Sequence, residues 1–377
     1  MCKLRIYQVW LIPPFLILLL FFSNCANILP LSGGEKDINP PKIKDIQIDY
    51  EKSLLHIYFD ENIVLNNWSE NFYSSPFLKS TPKLENKKLE IKIGEPLNKE
   101  ETYLISLKNC IKDLNEGNVA SDIEFIFSHK KEKDSLLITG HIVDAFSGDT
   151  VEGAWIFAYD SLLNDSLLFR SSPNYVSKSN DKGFFTFPNL KNIPYYLYAL
   201  DGKNHKYENG ERVAFLKQSI YPSRKNLTED KVLMSLFDPL YDSIKTGDTN
   251  NLPLKLDKEG YLPSTILIDI IFSNNQTDSF IVNSAFLFHL IDKDGSVIET
   301  WKNTKPFKVC NVPPGDYTLK CILDLNCNKK WTTGNIEKRI LPEITLIYPE
   351  DIMVRPDSEI ELEWEIVQSN FINRLLK

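Results

Sequence analysis

Between residues 41 and 128, apolar side chains recur at every second position in short runs broken by turn residues. Ile43, Ile46 and Ile48 open the pattern, and residues 54–59, 89–93, 103–107 and 124–127 continue it. Successive strand side chains point to opposite faces, so this period of two predicts half-buried β-strands packed as a sandwich. After a charged linker at 130–134 the texture returns at 138–144 and 156–159, with Asp181-Lys182-Gly183-Phe184-Phe185 further on. A third β segment starts at Thr265, with strand candidates at 266–272, 280–282, 285–291, 297–301 and 359–366. Asp292-Lys293-Asp294-Gly295 between two of these runs is a hairpin signal. Residues 227–262 are polar and weakly patterned and read as a connector. No stretch carries the stripe of a long amphipathic helix. The prediction is all-β: tandem β-sandwich domains at 41–128, 136–222 and 263–366.

The N-terminus has a different pattern. Lys3 and Arg5 precede a short apolar run at 11–22, which contains Pro13 and Pro14. A membrane-spanning helix needs about 20 apolar residues, so residues 1–24 read as a cleaved signal peptide. The segment Phe22-Ser23-Asn24-Cys25-Ala26 that follows resembles a loose bacterial lipobox. The resemblance implies lipidation of Cys25, the thiol that would carry a diacylglycerol. Two or three acyl chains, at about 0.8 kcal/mol per buried methylene, hold a soluble domain at a membrane. The competing reading is a plain secretory signal with an incidental cysteine. Ala26, where retention at the inner membrane would favour Asp, implies the outer membrane by resemblance to Gram-negative sorting rules. Residues 25–40 are polar and contain Gly and Pro, and read as a lipidated tether.

Composition agrees with a folded β protein. Apolar residues make up 42%, charged residues 25%, and 12% are aromatic, the residue types that fit pleated surfaces. The net charge of -8 argues against a nucleic-acid partner, which would require a basic face. Beyond Cys2 and Cys25 the cysteines are Cys110, Cys310, Cys321 and Cys327, without the CxxC spacing of zinc or redox sites. Cys310 and Cys321 are placed either to pair across a hairpin or to remain as free buried thiols.

Several motifs carry family resemblances. Pro40-Pro41, residues 57–61, Thr102-Tyr103, Asp113-Leu114-Asn115-Glu116-Gly117-Asn118 and Phe125-Ile126-Phe127-Ser128 resemble an SbsA-type Ig-like domain. In that turn Asp113 and Asn115 can accept backbone amides and Gly117 can supply a positive φ. Residues 138–144, Ser147-Gly148, Val151-Glu152-Gly153-Ala154, Gly183-Phe184 and Asn189-Leu190 resemble a prealbumin-like, carboxypeptidase-regulatory-like sandwich. Residues 189–211 and 311–335 echo each other as a strand, an Asx-rich loop and an aromatic three positions before a glycine. This implies a reused module, a second prealbumin-like domain at 263–366. The SbsA-type resemblance implies a spacer or stalk element and no enzyme, and together the parts resemble Gram-negative Ig-like-domain lipoproteins, a family whose motifs define no molecular role.

Candidate chemistry is sparse. Asp324-x-Asn326-x-Asn328 sets three oxygen side chains at alternating positions, as a Ca²⁺ loop does. Lys329 and Asn335 stand where such a loop wants glycine and a bidentate acid, and Asx-rich turns form without metal. No other cofactor is implied. His56, His129, His141, His205 and His289 lack metal spacing, and no nucleophile elbow, phosphate loop or dinucleotide fingerprint occurs. Asp60 and Glu61 are adjacent on a strand and point apart, so they cannot flank one bond. Among the aromatics Trp68, Tyr73, Trp155, Trp301, Trp331 and Trp364, core positions compete with a stacking platform, and Trp331 is the expected exposed member. Asp-Ser-Leu at 134–136, 160–162 and 165–167 resembles an O-glycosylation sequon of bacterial envelopes. The expectation is an elongated, non-catalytic outer-membrane lipoprotein that meets the membrane through its lipid and an envelope protein or glycan through its loops. The alternatives are a carbohydrate- or peptide-binding lipoprotein and an enzyme of unfamiliar site.

Overall fold

The computed structural model describes residues 36–130, 135–162, 171–202, 205, 207–208, 210–224, 232–240, 263–273, 285–302 and 306–367. The chain divides into Met1–Asn39 and a compact unit Pro40–Lys377, which holds all the strands described. It is almost wholly β.

The first sandwich holds β1 (Ile43–Asp49), β2 (Leu54–Phe59), β3 (Ile63–Leu65), the short helix α1 (Trp68–Asn71), β4 (Tyr73–Ser75), β5 (Ser80–Glu85), β6 (Lys88–Ile93), β7 (Thr102–Ser106), β8 (Ile111–Asp113), β9 (Val119–Ala120) and β10 (Glu124–Ser128). Its sheets run β1-β2-β6-β5, β10-β7-β4 and β3-β8-β9. Alternation decides the faces. Leu55, Ile57 and Phe59 of β2 point into the core with Leu89, Ile91, Tyr103 and Ile105. His56 points outward and meets its cross-strand partner Glu90 at 3.1 Å. The expected turn is present: Asp113 accepts the amides of Glu116, Gly117 and Asn118 at 2.6–2.9 Å, and Gly117 has φ +81°. Against the raising effect of desolvation, these amides hold the Asp113 carboxyl below its ordinary range.

The second sandwich holds β11 (Leu136–Asp144), β12 (Trp155–Tyr159), β13 (Tyr175–Lys178), β14 (Phe184–Leu190), β15 (Tyr196–Asp201), β16 (Arg212–Phe215), β17 (Ser223–Arg224) and β18 (Val232–Leu236). The third holds β19 (Ser264–Ser273), β20 (Ala285–Asp292), β21 (Val297–Lys302), β22 (Phe307–Val312), β23 (Gly315–Asp324), β24 (Thr345–Ile347), β25 (Ile352–Val354) and β26 (Glu359–Val367). The two share one plan. One sheet sets β14 antiparallel and β18 parallel to β11, and its counterpart sets β22 antiparallel and β26 parallel to β19. The other sheet runs β13-β12-β15-β16 in one and β21-β20-β23-β24 in the other. Asn189 and Asn311, the first residues of the two echoing segments, both adopt left-handed backbone, φ 59° and 61°.

Gly140 shows why this plan needs a missing side chain. A Cβ there would lie 2.4 Å from the Val232 carbonyl oxygen and 2.5 Å from the Phe185 ring, so β18 and Phe185 close over a bare backbone. Strand β18 corrects the connector reading of 227–262: Val232, Met234 and Leu236 are buried and continue the second sandwich. Five residues in a polar stretch carry too little pattern to show it, because the partner strand lies about ninety positions upstream. The strand candidate at 280–282 lies outside the described residues.

The sandwiches are not strung out as an elongated chain. One aromatic core draws Tyr73 and Leu104 from the first, Trp155, Phe157, Tyr198 and Phe237 from the second, and Leu287, Ile322 and Trp331 from the third. Each sandwich also keeps its own core.

Candidate functional site

The residues with chemical potential collect along the seams between the sandwiches. Strand β23 ends at Asp324, whose side chain is wholly buried. Its carboxylate accepts the Asn328 amide at 3.0 Å and the Lys329 amide at 2.9 Å, with Lys302 Nζ at 3.5 Å. Asn326 Oδ1 accepts the Asn328 amide at 3.0 Å, and Asn328 Oδ1 accepts the Lys330 amide at 2.8 Å. Both asparagines donate Nδ2 to Thr332 Oγ1. The structure thus brings Asp324, Asn326 and Asn328 into one loop, but it engages their oxygens with the loop's own amides. Among the described residues no group of three His, Cys, Asp or Glu side chains sits at metal-binding spacing.

Sequence reasoning missed the other carboxylate of this loop. Glu343 accepts the Leu325 amide at 2.9 Å through one oxygen and the Thr332 amide at 2.9 Å through the other. Burial pushes its carboxyl above the ordinary range, with the Asp324 charge adding to the rise against three lowering amides. No local motif marks Glu343, since its partners lie eleven to eighteen residues upstream.

Trp331 is buried, not exposed. It is 6% accessible, donates Nε1 to the Glu343 carbonyl at 2.9 Å and meets the Phe146 ring edge-on at 5.2 Å. The polar loop around it concealed this because the apolar partner belongs to another sandwich. Trp155 and Trp364 are likewise buried, Trp68 stacks on Phe72 at 4.2 Å, and Trp301 lies 3.8 Å from Phe307 between ring centroids. The expected aromatics are therefore core and seam residues. Beside them, Gly334 lets the chain pass over Phe237, since a Cβ there would stand 2.7 Å from that ring.

Both seams repeat one arrangement. At the first, Lys178 donates to the Glu70 carbonyl at 2.7 Å and lies 4.5 Å from the Trp155 ring centroid. His205 packs edge-on against Trp155 at 4.3 Å and near Phe77 at 5.6 Å. At the second, Lys320 donates to the Phe146 carbonyl at 3.3 Å and lies 4.1 Å over that ring. His289 is its cross-strand neighbour. Burial, then the adjacent lysine, pushes each imidazole down to about 4, and burial also lowers both lysines. Arg212 ties Asp201 at 2.9 Å to Asp144 at 2.6 Å.

The four described cysteines do not pair. Cys110, Cys310, Cys321 and Cys327 are free thiols, and Cys310 and Cys321 lie on β22 and β23, which belong to different sheets. Burial raises the Cys110 thiol to about 12, which makes it inert rather than nucleophilic. Cys25 and residues 163–170 lie outside the described residues; Ser135 and Ser161 of the Asp-Ser-Leu triplets are exposed. No described helix is long and apolar enough to cross a membrane.

No protein-family model matches the chain, and no curated protein matches it. Among solved structures, the TIE protein of Bacillus anthracis is 11% identical over 89% of this chain and 59% of its own length, with a TM-score of 0.19. The minor pilin GBS52 of Streptococcus agalactiae is 14% identical over 62% of this chain and 96% of the pilin, at 0.18. A DUF3823 family protein of Bacteroides uniformis is 9% identical over 59% of this chain and all (100%) of its own, at 0.18. This chain thus spans 59% of the length of the Bacillus protein. At these TM-scores the likenesses carry no argument about function.

Proposed function

We propose that the chain is a non-catalytic scaffold of the bacterial cell envelope, anchored at the outer membrane through lipid on Cys25 and presenting its loops and sheet edges to an envelope partner. In this reading the first sandwich is an SbsA-type Ig-like module and the next two are prealbumin-like modules.

The observation that supports it is where the polar groups point. Asp324 and Glu343 hold loop amides. Lys178, Lys320 and Arg339 bond carbonyls of neighbouring sandwiches. The cations act as joints between β modules while the carboxylates brace a loop within one, a design suited to load and presentation.

The test is metabolic labelling with a palmitate analogue in a Gram-negative host, beside Cys25→Ala. Label lost in the variant, with the protein released from membranes, supports the anchor. An unlabelled, freely soluble wild type overturns it.

A further inference from the structure

Between the first and second sandwiches lies a cleft of about 280 Å³. On the wall from the second sandwich, Asn174 Nδ2 donates to Asp160 Oδ2 at 3.1 Å while the Asp160 amide donates to Asn174 Oδ1 at 3.0 Å. These two bonds fix a carboxylate beside a carboxamide at the cleft. Glu95 and Glu101 come from the first sandwich, and Glu101 is ion-paired with Lys191 of the second. Phe77, half-buried, adds aromatic surface. The Phe77 amide donates to the Asn174 carbonyl at 2.9 Å, so the two walls are tied together at this place.

The lining selects a class of ligand. Three carboxylates against one ammonium disfavour phosphates and other anions. A fixed acid–amide pair offers acceptors and donors side by side, which matches vicinal hydroxyl groups that must both give and receive hydrogen bonds. The apolar C–H face of a pyranose then has aromatic surface to lie against. The volume is at the small end of ligand pockets and suits about one sugar ring. We propose that this cleft binds a neutral saccharide unit, with Asp160, Asn174 and Glu95 as its hydroxyl partners. The proposal goes beyond the scaffold reading and does not rest on lipidation, because palmitate labelling and sugar binding are read separately.

A ligand held by both walls binds only the folded pair, so it raises the melting temperature by mass action. The experiment uses the full chain in a zwitterionic detergent without a sugar headgroup, followed by saturation-transfer NMR and thermal melts. The probes are D-glucose, D-galactose and N-acetyl-D-glucosamine, with Nα-acetyl-lysine amide as a cationic comparison. Expected is saturable binding of at least one sugar, with a rise in melting temperature. Glu95→Gln and Asp160→Asn, both at exposed positions, weaken that binding about tenfold or more while leaving the unliganded melt in place. No saturable signal from any sugar, or sugar binding that neither variant weakens, overturns the proposal. Saturation by the lysine probe alone reassigns the cleft to basic peptide and overturns it too.

Discussion

Arg339 of the third sandwich donates Nη1 to the Tyr198 hydroxyl of the second at 2.8 Å. Its Nη2 donates to the Leu216 carbonyl at 3.2 Å, and the guanidinium lies 5.5 Å from the Phe215 ring centroid. One side chain thus joins two modules through a planar fork that a lysine cannot reproduce. Arg339→Ala is expected to lower stability by about 1.5–3 kcal/mol, the range for hydrogen bonds to charged groups. Arg339→Lys should fall between variant and wild type. Denaturant unfolding checks this, and an unchanged midpoint would show that the seam is held elsewhere.

Trp331 carries a second prediction. Trp331→Ala opens a void where the second and third sandwiches meet and should cost about 3–5 kcal/mol. Trp331→Phe keeps most of the packing but leaves the Glu343 carbonyl without its donor, costing about 1–3 kcal/mol. Urea midpoints for the pair separate the two contributions. A wild-type midpoint for Trp331→Phe would mean that the indole bond contributes nothing, and equal midpoints for both variants would mean that the ring packing does.

The Asp324 loop distinguishes a closed turn from a calcium site. Asp324→Ala removes the acceptor of two loop amides and should cost about 1–3 kcal/mol. A chelator should leave the wild-type melting temperature unchanged, because the loop's own N–H groups already engage these oxygens. A chelator-dependent fall that calcium reverses would restore the metal reading.

His205 and His289 make stability depend on pH. Each is held down to about 4 by burial and its neighbouring lysine, whereas an unfolded histidine titrates near 6.5. Between those values the unfolded chain binds more protons than the folded one, so stability is lost as pH falls from about 6.5 to about 4 and levels off below. The loss can reach about 3 kcal/mol per histidine. Unfolding curves at neutral and acid pH are expected to show this slope, and His205→Gln and His289→Gln should each flatten part of it. A slope unaffected by either substitution would place the acid sensitivity in the carboxylates.

Much of the architecture could be read along the chain. In β2, Leu55, Ile57 and Phe59 face inward as the period of two requires. The Asp113–Gly117 turn formed with Asp113 accepting the amides and Gly117 at positive φ, though Asn115 accepts none among the described residues, and the echo at 189 and 311 corresponds to two sandwiches of one strand order apart from β17 and β25. Trp331, Glu343 and β18 were not legible, because each is defined by a partner far away in sequence. Exposure of Trp331 follows from what Phe146 does, and nothing in its own polar loop reveals that.

The sequence by itself determined which faces of the strands are apolar, where turns fall and that Gly117 takes a positive φ, since these depend on side-chain period and local backbone sterics. Only the tertiary structure decided that the sandwiches share a core, that Lys178 and Lys320 bridge seams beside neutral histidines, and that Asp160 and Asn174 line a cleft. Those relationships arise from long-range burial, where desolvation and shape complementarity between modules outweigh any local pattern.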